Sequence, residues 1–189
     1  MAFYIMKQYK LIEGCAAIDG VPDNIDSLDW TQGKGTADPS NKNAPLTLDL
    51  TLESGDYRGD IIDGLLTLYS DELKEGLEKL EVNNIMYYPV RLRDQETNKT
   101  EGGYWVANII GLLDCIDMNK SKIEYRSSGI GFNFLSMVID ESKTNNSKIF
   151  RLKQSPTKVI INEELKLHLE ENDCLYGVEL IKTEDYSDW

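Results

Sequence analysis

Tyr104-Trp105-Val106-Ala107-Asn108-Ile109-Ile110-Gly111-Leu112-Leu113-Asp114-Cys115 is the most apolar stretch of the chain, and the fold turns on how it is read. Its periodicity alone leaves buried strand and helix both open. Composition favours strand over Tyr104–Ile110, because Tyr, Trp, Val and two Ile suit a pleated surface. Gly111 then marks a bend or bulge. On either reading Trp105, Ile109, Leu112 and Leu113 are expected to be largely buried.

Upstream, Leu46, Leu48, Leu50 and Leu52 alternate with Thr47, Asp49 and Thr51, the period of a half-buried strand. Leu65–Tyr69 reads as a strand and Ser70 as the cap of a helix carrying Leu73, Leu77 and Leu80 on one face. Ile85–Arg93 follows as a strand. Downstream, Met118–Ser121 is a turn, and Ile123–Tyr125 and Phe132–Ile139 are strands. Short strands follow at Ile149–Leu152 and, after Pro156, at Lys158–Ile161. Asn162 caps a last helix to about Asn172, and Leu175–Lys182 is a final strand.

Two segments echo each other. LTLYSDELKEGLEKLEVNNIMYYPVRL (66–92) and KVIINEELKLHLEENDCLYGVELI (158–181) both read strand, capped helix, strand. Ser70 aligns with Asn162, Leu73 with Leu165 and Leu77 with Leu169. Two copies fall short of a solenoid, and the pattern suits one sheet carrying two helices. The expected class is α+β: a mixed or mainly antiparallel sheet with two or three packed helices, including two strand-helix-strand units. The expected organisation is a single domain over 1–189, with an irregular acidic region at 13–43, a core at 45–181 and a frayed acidic tail at 183–189.

The charge is −13, from 33 acids against 20 Lys and Arg over 189 residues. Such a surface disfavours nucleic acid and anionic membrane as partners and favours a basic protein. The three cysteines, Cys15, Cys115 and Cys174, have no metal-knuckle or C-x-x-C spacing. Reduced thiols in a cytoplasmic protein account for them, as does the lack of a signal peptide or membrane-length apolar run.

Chemistry has few candidates. His168, the one histidine, lies in the last predicted helix without partners. No Walker, dinucleotide-binding, zinc or nucleophile-elbow motif occurs, and no cofactor is expected. Asp114 and Asp117 are spaced for an acid/base pair or a cation, with Arg126 or Arg151 as ionic partners. The competing reading makes them turn caps. Between residues 13 and 38 lie Glu13, Asp19, Asp23, Asp26, Asp29 and Asp38 against Lys34 alone, with Ile25, Leu28 and Trp30 among them. One helical turn is expected over Ile25–Trp30. Asp23, Asp26, Leu28, Asp29 and Trp30 are the candidate partner-binding residues, the acids steering and the apolar side chains anchoring.

The stretch Tyr104–Asp117, closed by Ser121, resembles the central signature of family eleven of the bacterial polymorphic-toxin immunity proteins, a myxobacterial-type immunity domain. Ile149-Phe150-Arg151-Leu152 with Pro156, then Val159–Leu169, resembles its closing motif, and Leu66–Leu77 its middle section. The likeness runs over 45–181 and is closest over 104–170. It implies a non-enzymatic protein that binds and neutralises a cognate toxin; a monomer or weak homodimer is expected. It brings no catalytic residue. Trp105, Asn108, Asp114, Asp117, Phe150 and Arg151 fall on its motifs and read as fold determinants. A protein-binding adaptor unrelated to toxins, or an enzyme using Asp114 and Asp117, are the other classes.

Overall fold

At Gly111, where φ is +94°, the chain leaves one sheet and enters another. A computed structural model describes residues 1–11, 13–21, 45–127 and 131–188. On one side of this glycine, β7 (Thr100–Ile109) pairs antiparallel with β6 (Ile85–Arg93) and β5 (Thr67–Ser70). On the other, β8 (Leu112–Leu113) runs parallel to β11 (Ile149–Leu152). The apolar stretch is therefore strand, as its composition favours, and it bridges two sheets.

The first sheet has six strands among the described residues, ordered β2 (Ile18–Asp19), β3 (Leu46–Leu50), β6, β7, β5, β4 (Ile61–Asp63). The second has five, ordered β13 (Val178–Lys182), β1 (Phe3–Gln8), β12 (Ser155–Asn162), β11, β8. β9 (Lys122–Tyr125) and β10 (Phe132–Ser136) form a separate hairpin. Among the described residues the helices are α1 (Asp71–Lys79) and α2 (Glu163–Glu171), with two short 3-10 turns elsewhere. The class is α+β, as expected.

Both echoed segments fold as strand, capped helix, strand, but on two sheets rather than one. The likeness also goes further than the sequence shows. In the first unit the antiparallel pair β4–β5 leads through α1 to β6, and β7 lies antiparallel between β5 and β6. In the second, the antiparallel pair β11–β12 leads through α2 to β13, and β1 lies antiparallel between β12 and β13. The central strand follows the unit in the first case. In the second it comes from the start of the chain.

The two helices lie together in one core between the sheets. Leu73 and Leu77 of α1 and Leu165 and Leu169 of α2 share a cluster with Tyr69, Ile109, Met6 and Ile161. Alternate residues face the other way. Leu68, Tyr88, Val90 and Val106 form a second cluster on the six-stranded sheet with Ala16 and Ile18. Phe3, Phe150 and Ile160 form a third on the five-stranded sheet, under Phe134 and Met137. Strand alternation thus gives each sheet two buried faces. Gly76 lets the helices approach: a Cβ there would lie 2.9 Å from Cys174 Sγ and 3.1 Å from Leu169 Cδ2.

Several expectations are corrected. Ile109 is buried, but Trp105 on β7 is only half-buried, and so are Leu112 and Leu113, whose β8 is a two-residue edge strand. Pro156 lies inside β12, where the register with β11 shifts, a position that tolerates the missing N–H. The strand expected over Phe132–Ile139 stops at Ser136, and Ile139 makes an isolated bridge to Ile116. The tail is docked rather than frayed as far as Asp188. That carboxylate accepts the Phe134 N–H at 2.7 Å and pairs with Lys158 at 2.9 Å. The helical turn expected over Ile25–Trp30 lies outside the described residues.

Candidate functional site

Asp23, Asp26, Leu28, Asp29 and Trp30 also lie outside the described residues, but both flanks of their segment are defined. On the N-terminal side, Cys15 bridges to Tyr57 and Gln8 Nε2 donates to the Ala16 carbonyl at 2.9 Å. Ile18 and Asp19 then pair antiparallel with Leu50 and Asp49. Val21 packs against the outer cluster of the six-stranded sheet. On the C-terminal side the chain enters β3 directly. Residues 22–44 therefore connect two adjacent antiparallel strands, and β2 is the last strand at that side of the sheet. Glu13 and Asp19, the described acids of the region, are exposed.

A second acidic surface emerges from the helices. Their apolar residues face inward, which leaves Asp71, Glu72, Glu75 and Glu78 of α1 exposed, with Glu163, Glu164, Glu170 and Glu171 of α2. Part of this charge is offset locally. Lys74 pairs with Glu78 at 2.8 Å, and Lys166 with Glu170 at 2.5 Å. The acids of each first turn also suit the positive end of the helix dipole.

The Asp114–Asp117 pair is not assembled as a joint acid/base centre. Asp114 is exposed and bonded by Gln154 at 2.6 Å and Lys153 at 3.2 Å, and these bonds hold its carboxyl below the usual range. Asp117 pairs with Lys120 at 3.0 Å and accepts the N–H groups of Asn119 and Lys120, so its carboxyl is also lowered. A general acid needs the opposite shift. Each aspartate instead has its own lysine, and Asp117 caps the turn to Ser121. Neither arginine pairs with them: Arg126 donates to Asn133 Oδ1 at 2.9 Å, and Arg151 Nη1 to the Pro156 carbonyl at 2.9 Å.

The other motif residues lie at joints of the fold. Trp105 Nε1 donates to Asp71 Oδ1 at 2.6 Å, and Lys74 Nζ stands 4.9 Å above its ring, tying β7 to α1. Asn108 is fully buried in β7 opposite Met86. Phe150 is buried edge-on to Phe3 at 6.0 Å. Burial lowers the Arg151 pKa. His168 is half-buried on α2. Among the described residues no group of three or more His, Cys, Asp or Glu is placed to hold a metal ion.

Asp60 was not singled out by the sequence reading. It is buried, takes the Ser70 hydroxyl at 2.5 Å and the Tyr176 N–H at 2.6 Å, and so joins the α1 cap to the loop after α2. Its setting between Gly59 and a strand gives no periodic signal. Only the tertiary closure of the two units reveals it.

The helices thus turn an acidic face to solvent, and Asp114 and Asp117 are tied to their own partners. The chain belongs to the Immunity protein family (Imm11), whose model matches residues 4–185. It is an immunity protein, and it neutralises a toxin. The match is longer than the 45–181 over which the resemblance was drawn and takes in the acidic region, so residues 13–43 belong to the family span. No curated protein matches the chain.

Proposed function

We propose that the cognate toxin is a basic protein, and that the acidic region around Asp23, Asp26 and Asp29 steers it while Leu28 and Trp30 anchor it. The observation that carries this reading is the rooting of the segment. Its flanks are fixed to β2 and β3 at the side of the six-stranded sheet, with Glu13 and Asp19 exposed beside it. A recognition segment on a rigid sheet positions its side chains while leaving partner-specific variation free. The partner is a protein, not nucleic acid or a membrane, and the immunity protein acts in the cytoplasm as a monomer or weak homodimer. Among the described residues no helix is long and apolar enough to cross a membrane. Trp105, Asn108, Asp114, Asp117 and Phe150 serve the scaffold.

Surface plasmon resonance against the cognate toxin tests this. The triple variant Asp23→Asn, Asp26→Asn, Asp29→Asn is expected to lower the association rate about tenfold at low ionic strength and to flatten its salt dependence. Trp30→Ala is expected to raise the dissociation rate instead. An unchanged association rate and salt slope in the triple variant removes this segment as the steering surface. The exposed acids of α1 and α2 are the second reading, and Glu72→Gln, Glu75→Gln and Glu171→Gln together would then carry the salt effect.

A further inference from the structure

β1 and β12 pair from Phe3↔Asn162 to Met6↔Val159 and then part, while β1 remains paired with β13 as far as Gln8↔Val178. Where β12 departs, a cavity of about 530 Å³ opens. This is the size of a small-molecule site, which spans about 300–1,000 Å³. Met6 and Val159 give it apolar walls, and Leu11 lies at its exposed rim. In a chain of charge −13 its charged lining runs the other way: Lys7, Lys10, Arg151 and Lys158 against Asp63 and Glu179.

Most of these charges are already matched. Lys7 pairs with Glu179 at 3.1 Å and Lys158 with Asp188 at 2.9 Å. Asp63 Oδ2 accepts the Gln8 N–H at 2.8 Å. Arg151 is different. It is 2% exposed, its Nη1 donates to the Pro156 carbonyl, and its Nε has no hydrogen-bond partner. The Asp63 carboxylate, in the same lining, acts on it through space, but among the described residues no carboxylate lies within 4.0 Å to bond it. A buried guanidinium is stable when an anion and its hydrogen bonds accompany it. Its planar fork matches a carboxylate.

We propose that this cavity binds a small organic carboxylate with an apolar body, the carboxylate seated on Arg151 and the body against Met6 and Val159. The ligand class follows from one buried cation joined to apolar walls. An inorganic anion would leave the walls unused, and a neutral lipid would leave the guanidinium unmatched. The site lies where β1 and β12 part, and Asp63 and Thr67 of the six-stranded sheet complete its lining.

Octanoate is the probe, with octanamide and inorganic phosphate as controls, titrated into the full chain and followed by amide chemical shifts and calorimetry. The expected result is saturable, one-to-one octanoate binding that moves the amides of Met6–Gln8 and Thr157–Val159, with octanamide and phosphate each at least tenfold weaker. Arg151→Met, with folding checked by circular dichroism, is expected to weaken octanoate at least tenfold. Should that variant not fold, Thr157→Trp decides, since Thr157 is exposed at the rim and a bulky ring there narrows the mouth without touching the core. It too is expected to weaken octanoate at least tenfold. Absence of amide shifts at 10 mM octanoate (about the weakest binding worth calling a site) overturns the proposal. So does octanamide or phosphate binding as tightly as octanoate, or a folded Arg151→Met variant that keeps octanoate affinity.

Discussion

The carboxylate of Asp60 accepts the backbone N–H of Tyr176 at 2.6 Å, across 116 residues of chain. Its other oxygen takes the Ser70 hydroxyl, and Ser70 in turn caps α1 by accepting the Leu73 N–H at 3.0 Å. One side chain thus holds the start of the first helix and the loop that follows the second.

Burial raises the Asp60 pKa above the ordinary aspartate value, although its bonds to Ser70 and Tyr176 oppose the shift, and Glu72 adds to it. A folded state with the higher pKa holds the proton more tightly. This group's contribution to stability therefore falls as pH rises from about 4 through the raised folded value. Asp114 and Asp117, whose pKa values are lowered, act oppositely: their contribution is present above the ordinary value and lost as pH falls through the folded one. Asp60→Asn is expected to gain stability relative to the native protein as pH rises from 4 to 7. Urea midpoints across that range measure it, and parallel curves for the two proteins would refute it.

Ser70→Ala and Asn162→Ala each remove a helix cap, since Asn162 Oδ1 accepts the Leu165 N–H at 2.9 Å. Loss of the cap bond alone costs about 1 kcal/mol, the effect expected for Asn162→Ala. Ser70→Ala should cost more, about 2 kcal/mol, because it also strands the buried Asp60 carboxylate. Denaturant unfolding of the two variants side by side checks the order.

Gly76→Ala separates propensity from packing. In a free helix the change would stabilise by about 1 kcal/mol. Here the new methyl meets Cys174 Sγ and Leu169 Cδ2, and overpacking of a core costs about 1–3 kcal/mol. A lowered melting temperature is expected. A raised one would show that the two helices separate at little cost.

Ile109→Ala and Leu112→Ala, three residues apart, should differ. Ile109 is fully buried in the inter-sheet core, and its truncation is expected to cost about 2–5 kcal/mol. Leu112 is half-buried on a two-residue strand, and its loss should be under about 2 kcal/mol. Equal losses would contradict the edge position of β8.

That pair also shows how far the sequence could be read. The β-forming composition of Tyr104–Ile110 and the glycine that follows announced a strand and a bend. The caps at Ser70 and Asn162 were legible because capping is local. That the bend passes the chain between two sheets was not legible, because β8 is set by its pairing with Arg151 and Leu152, far along the chain. For the same reason Arg151 read as a partner for Asp114 or Asp117. Only the splaying of β12 from β1 places it at a cavity. The acidic segment proposed to face the toxin was legible by charge alone, which bears on what it would attract.

The place of β1 has a consequence during synthesis. It leaves the ribosome long before the strands on either side of it, β12 and β13. The six-stranded sheet, whose strands end at Ile109, can close on the nascent chain. The five-stranded sheet lacks its neighbours for β1 until Ser155–Asn162 and Val178–Lys182 have emerged. Such long-range pairing is slow and leaves strand edges open meanwhile. Premature termination anywhere before residue 155 would leave β1 with both edges unpaired, a natural flag for quality-control proteases. Only copies that reach β12 and β13 would then persist to meet the toxin.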